Sequence, residues 1–446
     1  MKIIKSENLS EDFFAGSAFE GIPAVQRIMA DVKKHGDWAV RHYTWLFDGV
    51  RTERLRISAD AVEKAGPHLS ESVRAALLFA ARNVRTFAER QLRSFEAFEV
   101  EIVPGVFCGQ RIVPIDRLGV YVPAGRFPLV SSLLMSVVPA QTAGVREIAV
   151  CSPPRSEGSV HPVVLAAAGL LGIEEVYAIG GAQAIAAMAY GTESVKKTDK
   201  IIGPGNRFVA LAKKEAFGTV GVDMTAGPTE VMIVADQDAD PEFIAADLLA
   251  QAEHDPEASA VLLTDSAELA ARVREETARR IAGLPTQTTI ASSIRERGLI
   301  VIVKDMDEAA EISNRKAPEH LELHIRNAEA RSPAFRHYGT LFIGPWTAEV
   351  LGDFTSGLNH ILPTGSSARF SSGLSVRDFL KSSTTLRVER GERADLSAVY
   401  SPARTLAECE GLAAHAAAAE ARLNRAQSGR FCGKGTSVIL KSTPYI

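Results

Sequence analysis

Residues 222–256 read VDMTAGPTEVMIVADQDADPEFIAADLLAQAEHDP. A loop, a strand and a helix follow one another here, the repeating unit of a parallel α/β sheet. Residues 229–235, TEVMIVA, are apolar and rich in β-branched side chains over a strand's length, as a sheet interior covered on both faces requires. Asp240 is placed to cap a helix, Pro241 suits its first position, and Glu242 sets negative charge against the positive helix start. Apolar residues then run through Leu248 and Leu249 to a stop before Pro256. Gln251 and His254 lie three apart and project from one face of the last turn. Two meanings stay open for them: part of a metal site, or a polar helix end where His254 complements the dipole.

The same alternation extends outward in both directions. Strand-like runs at 119–122, 147–151, 175–179 and 200–202 are each followed by a helical pattern, at 129–143, 163–171, 182–189 and 207–217. Further strand runs stand at 260–263, 299–303 and 339–343. Such alternation predicts βαβ units and largely parallel sheets with helices on both faces. A doubly wound domain is expected over about residues 119–227, flanked from both sides by a second α/β domain. Residues 22–47 and 70–95 carry helical periodicity. Residues 98–114 alternate and turn at Pro104-Gly105, which predicts a β-hairpin. Helical sequence past Thr405, with an alanine-rich run at 413–421, predicts a small C-terminal appendage.

The chain has 446 residues, 46% hydrophobic and 23% charged, with a formal net charge of −4. That is the composition of an ordinary globular protein of two or three domains. Neither the charge nor any basic run makes a case for nucleic acid or a membrane surface. The start, MKIIKSENLSEDFF, lacks the pattern of a signal peptide, and no apolar stretch approaches the length that spans a bilayer. Cys108, Cys151, Cys409 and Cys432 are scattered without a CxxC. Reduced thiols in a cytoplasmic protein are expected.

Three polar or glycine-rich turns follow predicted strands: YVPAG at 121–125, GGAQ at 180–183 and GPGN at 203–206. In open parallel sheets ligands sit beyond the carboxyl ends of the strands, and a helix start such as the one after Asn206 suits a phosphate. No GxGxxG fingerprint is present, so these turns alone do not select a dinucleotide.

Eight stretches, in order, carry a resemblance: GVYVPAGRFPLVSSLLMSVVPAQTAG, GGAQAIAAMAYGT, IIGPGNRFVA, DMTAGPTEVMIVAD, DLLAQAEHD, APEHLEL, LGDFTSGLNHILPTG and ARFSSGLSVRDFL. Together the chain resembles the histidinol dehydrogenase family from about residue 20 to 425. The resemblance implies an α/β fold of two Rossmann-like doubly wound domains, as in aldehyde and histidinol dehydrogenases. A helical N-terminal segment and a small C-terminal helical appendage complete it. It implies a segment at 1–20, a discontinuous domain of 21–118 plus 231–373 holding the metal and catalytic residues, a nucleotide-binding domain at 119–230, and a dimer-crossing appendage at 374–446. The implied activity is the four-electron oxidation of L-histidinol to L-histidine through L-histidinal, the final steps of histidine biosynthesis. NAD is the implied oxidant, with one zinc ion per subunit.

By the same resemblance Gln251, His254, Asp353 and His415 are metal ligands. Imidazoles and a carboxylate are ordinary zinc donors, whereas Gln is an unusual one. Glu319 and His320 are the implied catalytic pair: His320 takes the alcohol proton, and Glu319 activates water for addition to the aldehyde. Thr229, Gln251, His254, His320, Asp353, Glu410 and His415 bind substrate, and Tyr121, Gln183 and Asn206 bind the cofactor. The implied assembly is a homodimer with shared sites, to which the partner subunit contributes His415 and Glu410. On one continuous helix those two residues would stand about 140° apart and would not both face inward. His360, beside the metal motif, is a candidate supporting residue, and the remaining histidines read as structural or surface groups. The tail after Arg425 carries no assigned role.

Two departures bear on the substrate. Thr229 stands where the family has serine, and Ala124 where it has glycine. Relatives of this architecture oxidise other alcohols, including sulfopropanediol, but Glu410 suits a cationic amine better than a sulfonate. A metal-dependent hydrolase, with Glu319 activating water, would leave the three nucleotide turns unexplained.

Overall fold

Three sheets carry the fold, in a computed structural model that describes residues 1–15, 22–124, 127–224, 227–389 and 395–427. Gly125 of the YVPAG turn and residues 428–446 of the tail lie outside the described residues. The strands in chain order are β1 Lys2–Lys5, β2 Phe98–Val103, β3 Val106–Pro114, β4 Arg117–Tyr121, β5 Glu147–Ser152, β6 Glu175–Ala178 and β7 Lys200–Ile202. After them come β8 Gly221–Val222, β9 Glu230–Ala235, β10 Ser259–Thr264, β11 Leu299–Ile302, β12 His320–His324, β13 Thr340–Ile343 and β14 Leu380–Val388. The chain divides into two units, Met1–Leu92 with Ile115–Phe379, and Arg93–Pro114 with Leu380–Ile446.

The larger unit holds two parallel sheets, of order β1-β11-β10-β9-β12-β13 and β6-β5-β4-β7-β8. β9 is buried along its whole length. Alternation sends Val231, Ile233 and Ala235 into one core layer with Ile244 and Leu248. Met232 and Val234 enter the other, with Leu321 and Leu323 of β12. Each fully buried side chain of this kind contributes about 1.5–3 kcal/mol relative to exposure. The near-continuous apolar run at 229–235 thus has its cause in a central strand covered on both faces.

Helix α1, Ile22–Asp48, is two helical pieces joined at Gly36, whose φ of 54° and ψ of −135° are non-helical. Its Val25, Ile28, Met29 and Val32 pack into the core of the five-stranded sheet. Next come α2 Glu71–Leu92, α3 Val130–Ala143, α4 Gly181–Tyr190, α5 Arg207–Ala216 and α6 Pro241–Ala252. Asp240 caps α6 as expected, its carboxylate accepting from the Glu242 N–H at 2.8 Å. Pro318-Glu319 does not start a helix: His320 opens β12, which pairs with both β9 and β13. A short helix α7, Glu349–Phe354, follows β13.

In the smaller unit the expected 98–114 hairpin forms, β2 against β3. β3 also pairs antiparallel with β14 along its full length, from Leu380 opposite Pro114 to Val388 opposite Val106. This third strand is a polar run (KSSTTLRV) that gives no local sign of its distant partner. Helices α8, Ser397–Cys409, and α9, Ala413–Gln427, complete the unit as a hairpin.

Candidate active site

Three elements of the larger unit converge on one polar cluster, each through its own periodicity. On β12 the side chains of His320, Glu322 and His324 share a face, while Leu321 and Leu323 enter the core opposite. On α6, Asp247 and Gln251 lie four apart on one stripe, and His254 follows in the turn after the helix ends at Ala252, not on its last turn as its spacing predicted. On α7, Glu349 and Asp353 lie four apart. Glu349 was not singled out from the sequence. Its spacing from Asp353 on a short helix was the available signal, but nothing local told that helix to face inward.

His320 sits at the centre. Its Nδ1 lies 3.3 Å from the Glu230 carbonyl, which can only accept, so Nδ1 carries a proton. Its Nε2 is buried without a hydrogen-bond partner among the described residues and lies 3.6 Å from Asp353 Oδ1. Nε2 is therefore the atom at which a second proton is taken up or released. Burial works against charge on this imidazole, yet the carboxyls of Glu349, Glu319 and Asp353 around it hold its pKa well above the usual range.

Glu319 is held by two donors. Its Oε2 accepts from the Thr229 hydroxyl at 2.5 Å and from the Glu230 N–H at 2.9 Å. Burial pushes its pKa up to about 7, against the lowering effect of His320 and these hydrogen bonds. A carboxyl that titrates near neutrality suits a general base. Thr229 also touches the Gln251 amide oxygen at 2.6 Å, which accepts from the Glu230 N–H at 2.7 Å while the amide nitrogen faces Glu349 at 3.2 Å. Burial drives Glu349 well above the usual carboxyl range; Asp353, Glu322 and Glu319 add to this, and His320 opposes it.

Asp353 presents its two oxygens to different imidazoles, Oδ1 to His320 and Oδ2 to His254 Nε2 at 3.8 Å. Burial opposes its charge, but His320 holds its pKa below the usual value. Its own carbonyl accepts from His360 Nδ1 at 2.9 Å, and His360 Nε2 accepts from Ser132 on α3 at 3.1 Å. His360 thus ties α7 to the layer beside the five-stranded sheet. His254, Glu349 and Asp353 each offer one ligand atom within 4.8 Å of the others. An imidazole and a carboxylate face each other beyond hydrogen-bonding distance, with the Gln251 amide turning its nitrogen toward Glu349 beside them. This nitrogen-and-oxygen set fits a divalent transition ion.

The three cofactor candidates lie at the carboxyl ends of strands in the five-stranded sheet. Tyr121 ends β4, and its hydroxyl accepts from the Gly181 N–H at 3.2 Å. Gln183, on the first turn of α4, is 1% exposed, and neither atom of its amide has a partner among the described residues. Asn206 caps α5, its side-chain oxygen accepting from Phe208 and Val209 N–H at 3.1 and 3.2 Å. Between them Gly203 adopts φ +115°, and a Cβ there would stand 2.1 Å from the Tyr121 carbonyl oxygen. Its N–H is held by Asp223 at 2.9 Å and its carbonyl by Lys213 at 3.0 Å, and the two side chains form a buried ion pair. An orphaned buried amide beside a braced glycine turn and a helix start fits a phosphate-bearing ligand. The proton-transfer candidates, by contrast, sit at the amino ends of β9 and β12.

Glu410 and His415 belong to the smaller unit. They do not share a helix: Glu410 caps α8, Gly411 turns at φ +74°, and His415 lies in α9. The corner removes the angular conflict of a single helix. Both residues line one open groove of about 430 Å³ with Tyr400, Leu406 and Arg422.

The histidinol dehydrogenase family profile matches residues 17–423. The chain is 46% identical to histidinol dehydrogenase of Rhizobium meliloti (strain 1021), over 92% of this chain and 94% of that protein. It is 45% identical to that of Bacillus cereus (strain ATCC 10987 / NRS 248), over 89% and 91%. The crystal structure of histidinol dehydrogenase from Elizabethkingia anophelis superposes with a TM-score of 0.89 at 34% identity, covering 96% of this chain and 98% of that one. Matched over nearly its whole length in sequence and in fold, the chain is a dehydrogenase belonging to the histidinol dehydrogenase family.

Proposed function

We propose that this protein oxidises L-histidinol to L-histidine in two NAD-linked steps, the end of histidine biosynthesis. The observation that carries the reading is His320: a buried imidazole with Nε2 unpartnered, beside a Glu319 carboxyl tuned to about 7. In the first step the alcohol loses a hydride and a proton, and His320 Nε2 receives the proton. In the second, Glu319 takes a proton from water as its oxygen adds to the aldehyde carbon, and the resulting hydrate anion loses a second hydride and then a proton to leave the carboxylate. Each step consumes one NAD, which accepts the hydride. Adjacent residues point to different sides of the chain, so one site can hold two proton acceptors with separate duties.

Gln251, His254 and Asp353 would hold a zinc ion together with His415 of the partner subunit. Zinc would supply a fixed anchor that orients the substrate's imidazole and amine. Thr229 and Glu410, the latter also from the partner subunit, would complete the substrate site in a homodimer. Tyr121, Gln183 and Asn206 would bind NAD in a nucleotide domain of residues 119–230. Residues 21–118 plus 231–373 would carry the metal and proton chemistry, and 374–446 would cross to the partner. The test is the amount of NADH formed per L-histidinol consumed by zinc-loaded protein. Two per molecule is expected. One per molecule with histidinal released, or none in folded protein, would overturn the reading.

A further inference from the structure

Behind the candidate active site the polar face of β12 continues into a second cluster. Glu322 and His324 are adjacent on that face, and both side chains are wholly buried. Glu322 Oε2 and His324 Nε2 approach to 3.3 Å, yet neither atom forms a hydrogen bond among the described residues, and His324 Nδ1 also lacks one. Asp247, one turn before Gln251 on α6, closes the group. One ligand atom from each of the three residues lies within 4.8 Å of the other two. The second oxygen of Glu322 is already fixed, accepting from the Glu349 N–H at 2.8 Å, so the carboxylate is aimed rather than free.

Glu322 Oε2 and both ring nitrogens of His324, buried without hydrogen-bond partners among the described residues, leave an unresolved cost, because each orphaned polar group forfeits its solvation. A proton shared by the two carboxyls would settle only part of it. Burial and the neighbouring Glu322 already raise Asp247 to about 8, and His324 would still have no partner. A divalent cation would satisfy all three at once, as a His-and-two-carboxylate donor set can. We propose that Asp247, Glu322 and His324 form a second metal site for a divalent transition ion, distinct from the Gln251, His254 and Asp353 group. Glu322 links the ion to the backbone of Glu349 in the active site.

The test counts zinc per chain by mass spectrometry after equilibrium dialysis at micromolar free zinc. Wild-type protein is expected to hold two ions, His324→Gln one, and His254→Ala one. A wild-type count of one that His324→Gln leaves unchanged would overturn the second site. So would a count of two that survives both His324→Gln and Asp247→Asn. His254→Ala retaining two ions would instead defeat the first metal assignment and leave this one standing. Asp247→Asn, on the partly exposed helix, repeats the count if the buried His324→Gln fails to fold. Should neither variant fold, anomalous density in a zinc-soaked wild-type crystal decides: a peak beside His324 Nε2 supports the site, and its absence overturns it.

Discussion

Replacing Thr229 by valine keeps the side-chain volume and removes one hydroxyl. That hydroxyl lies 2.5 Å from Glu319 Oε2 and 2.6 Å from the Gln251 amide oxygen. Glu319 would keep only the Glu230 N–H, at 2.9 Å. A hydrogen bond to a charged group contributes about 1.5–3 kcal/mol. At about 1.36 kcal/mol per decade of rate, its loss costs roughly 10- to 160-fold in a step that uses the ionised carboxyl. The Thr229 bond also lowers the pKa of Glu319, so its removal raises that pKa further. Glu319 acts when deprotonated, so the rate of aldehyde oxidation falls as pH drops through about 7 in the wild type and at higher pH in Thr229→Val. The assay follows NADH from histidinal supplied directly, across neutral pH, beside NADH from histidinol, with zinc content measured throughout. Thr229→Ser, which restores the hydroxyl, should behave as wild type. Equal loss in both half-reactions, or an acid limb that does not move, would refute the coupling of Thr229 to Glu319.

Three further outcomes follow from other parts of the molecule. Glu319→Gln should spare alcohol oxidation relative to aldehyde oxidation, with histidinal accumulating; parallel loss in both steps, measured by NADH bursts, would contradict the division of labour. Gly203→Ala places a Cβ 2.1 Å from the Tyr121 carbonyl at φ +115°, so the turn must shift. NAD affinity should fall by at least an order of magnitude on a calorimetric titration while zinc content holds, and unchanged affinity would remove the turn from the cofactor site. Asp48, raised by burial from 3.8 to about 6, favours the folded state most at low pH and loses that contribution as pH rises from about 4 through 6. Asp48→Asn should therefore melt above wild type at neutral pH and match it below about pH 4; a constant offset in thermal melts would show another cause.

Much of this was legible in the chain because its signals are local. The buried run at 229–235, the Asp240 cap and the 98–114 hairpin each follow from residues within a few positions of one another. The site was legible differently. Gln251 and His254 were legible as close neighbours, although His254 falls in the turn past the helix end, and only the fold brings Asp353 to them, about a hundred residues later. Glu349 stayed hidden because an acidic residue opening a short helix is ordinarily a solvated, dipole-complementing group. β14 was missed because its alternation is polar and its partner lies some 270 positions away. The Glu410–His415 geometry turned on Gly411, whose positive φ breaks what spacing alone treats as one helix.

The alternating face of β12 has a consequence for folding. β12 is an interior strand whose neighbours β9 and β13 approach it from opposite directions along the chain, so its pairing forms through long loops and competes with shifted alignments. A slip of one residue would drive His320, Glu322 and His324 into the aliphatic layer and lift Leu321 and Leu323 out of it. The groups that would carry the chemistry therefore also reject wrong alignments during assembly. Apolar substitutions along this face would erase that discrimination, and slow or heterogeneous refolding would accompany the loss of activity.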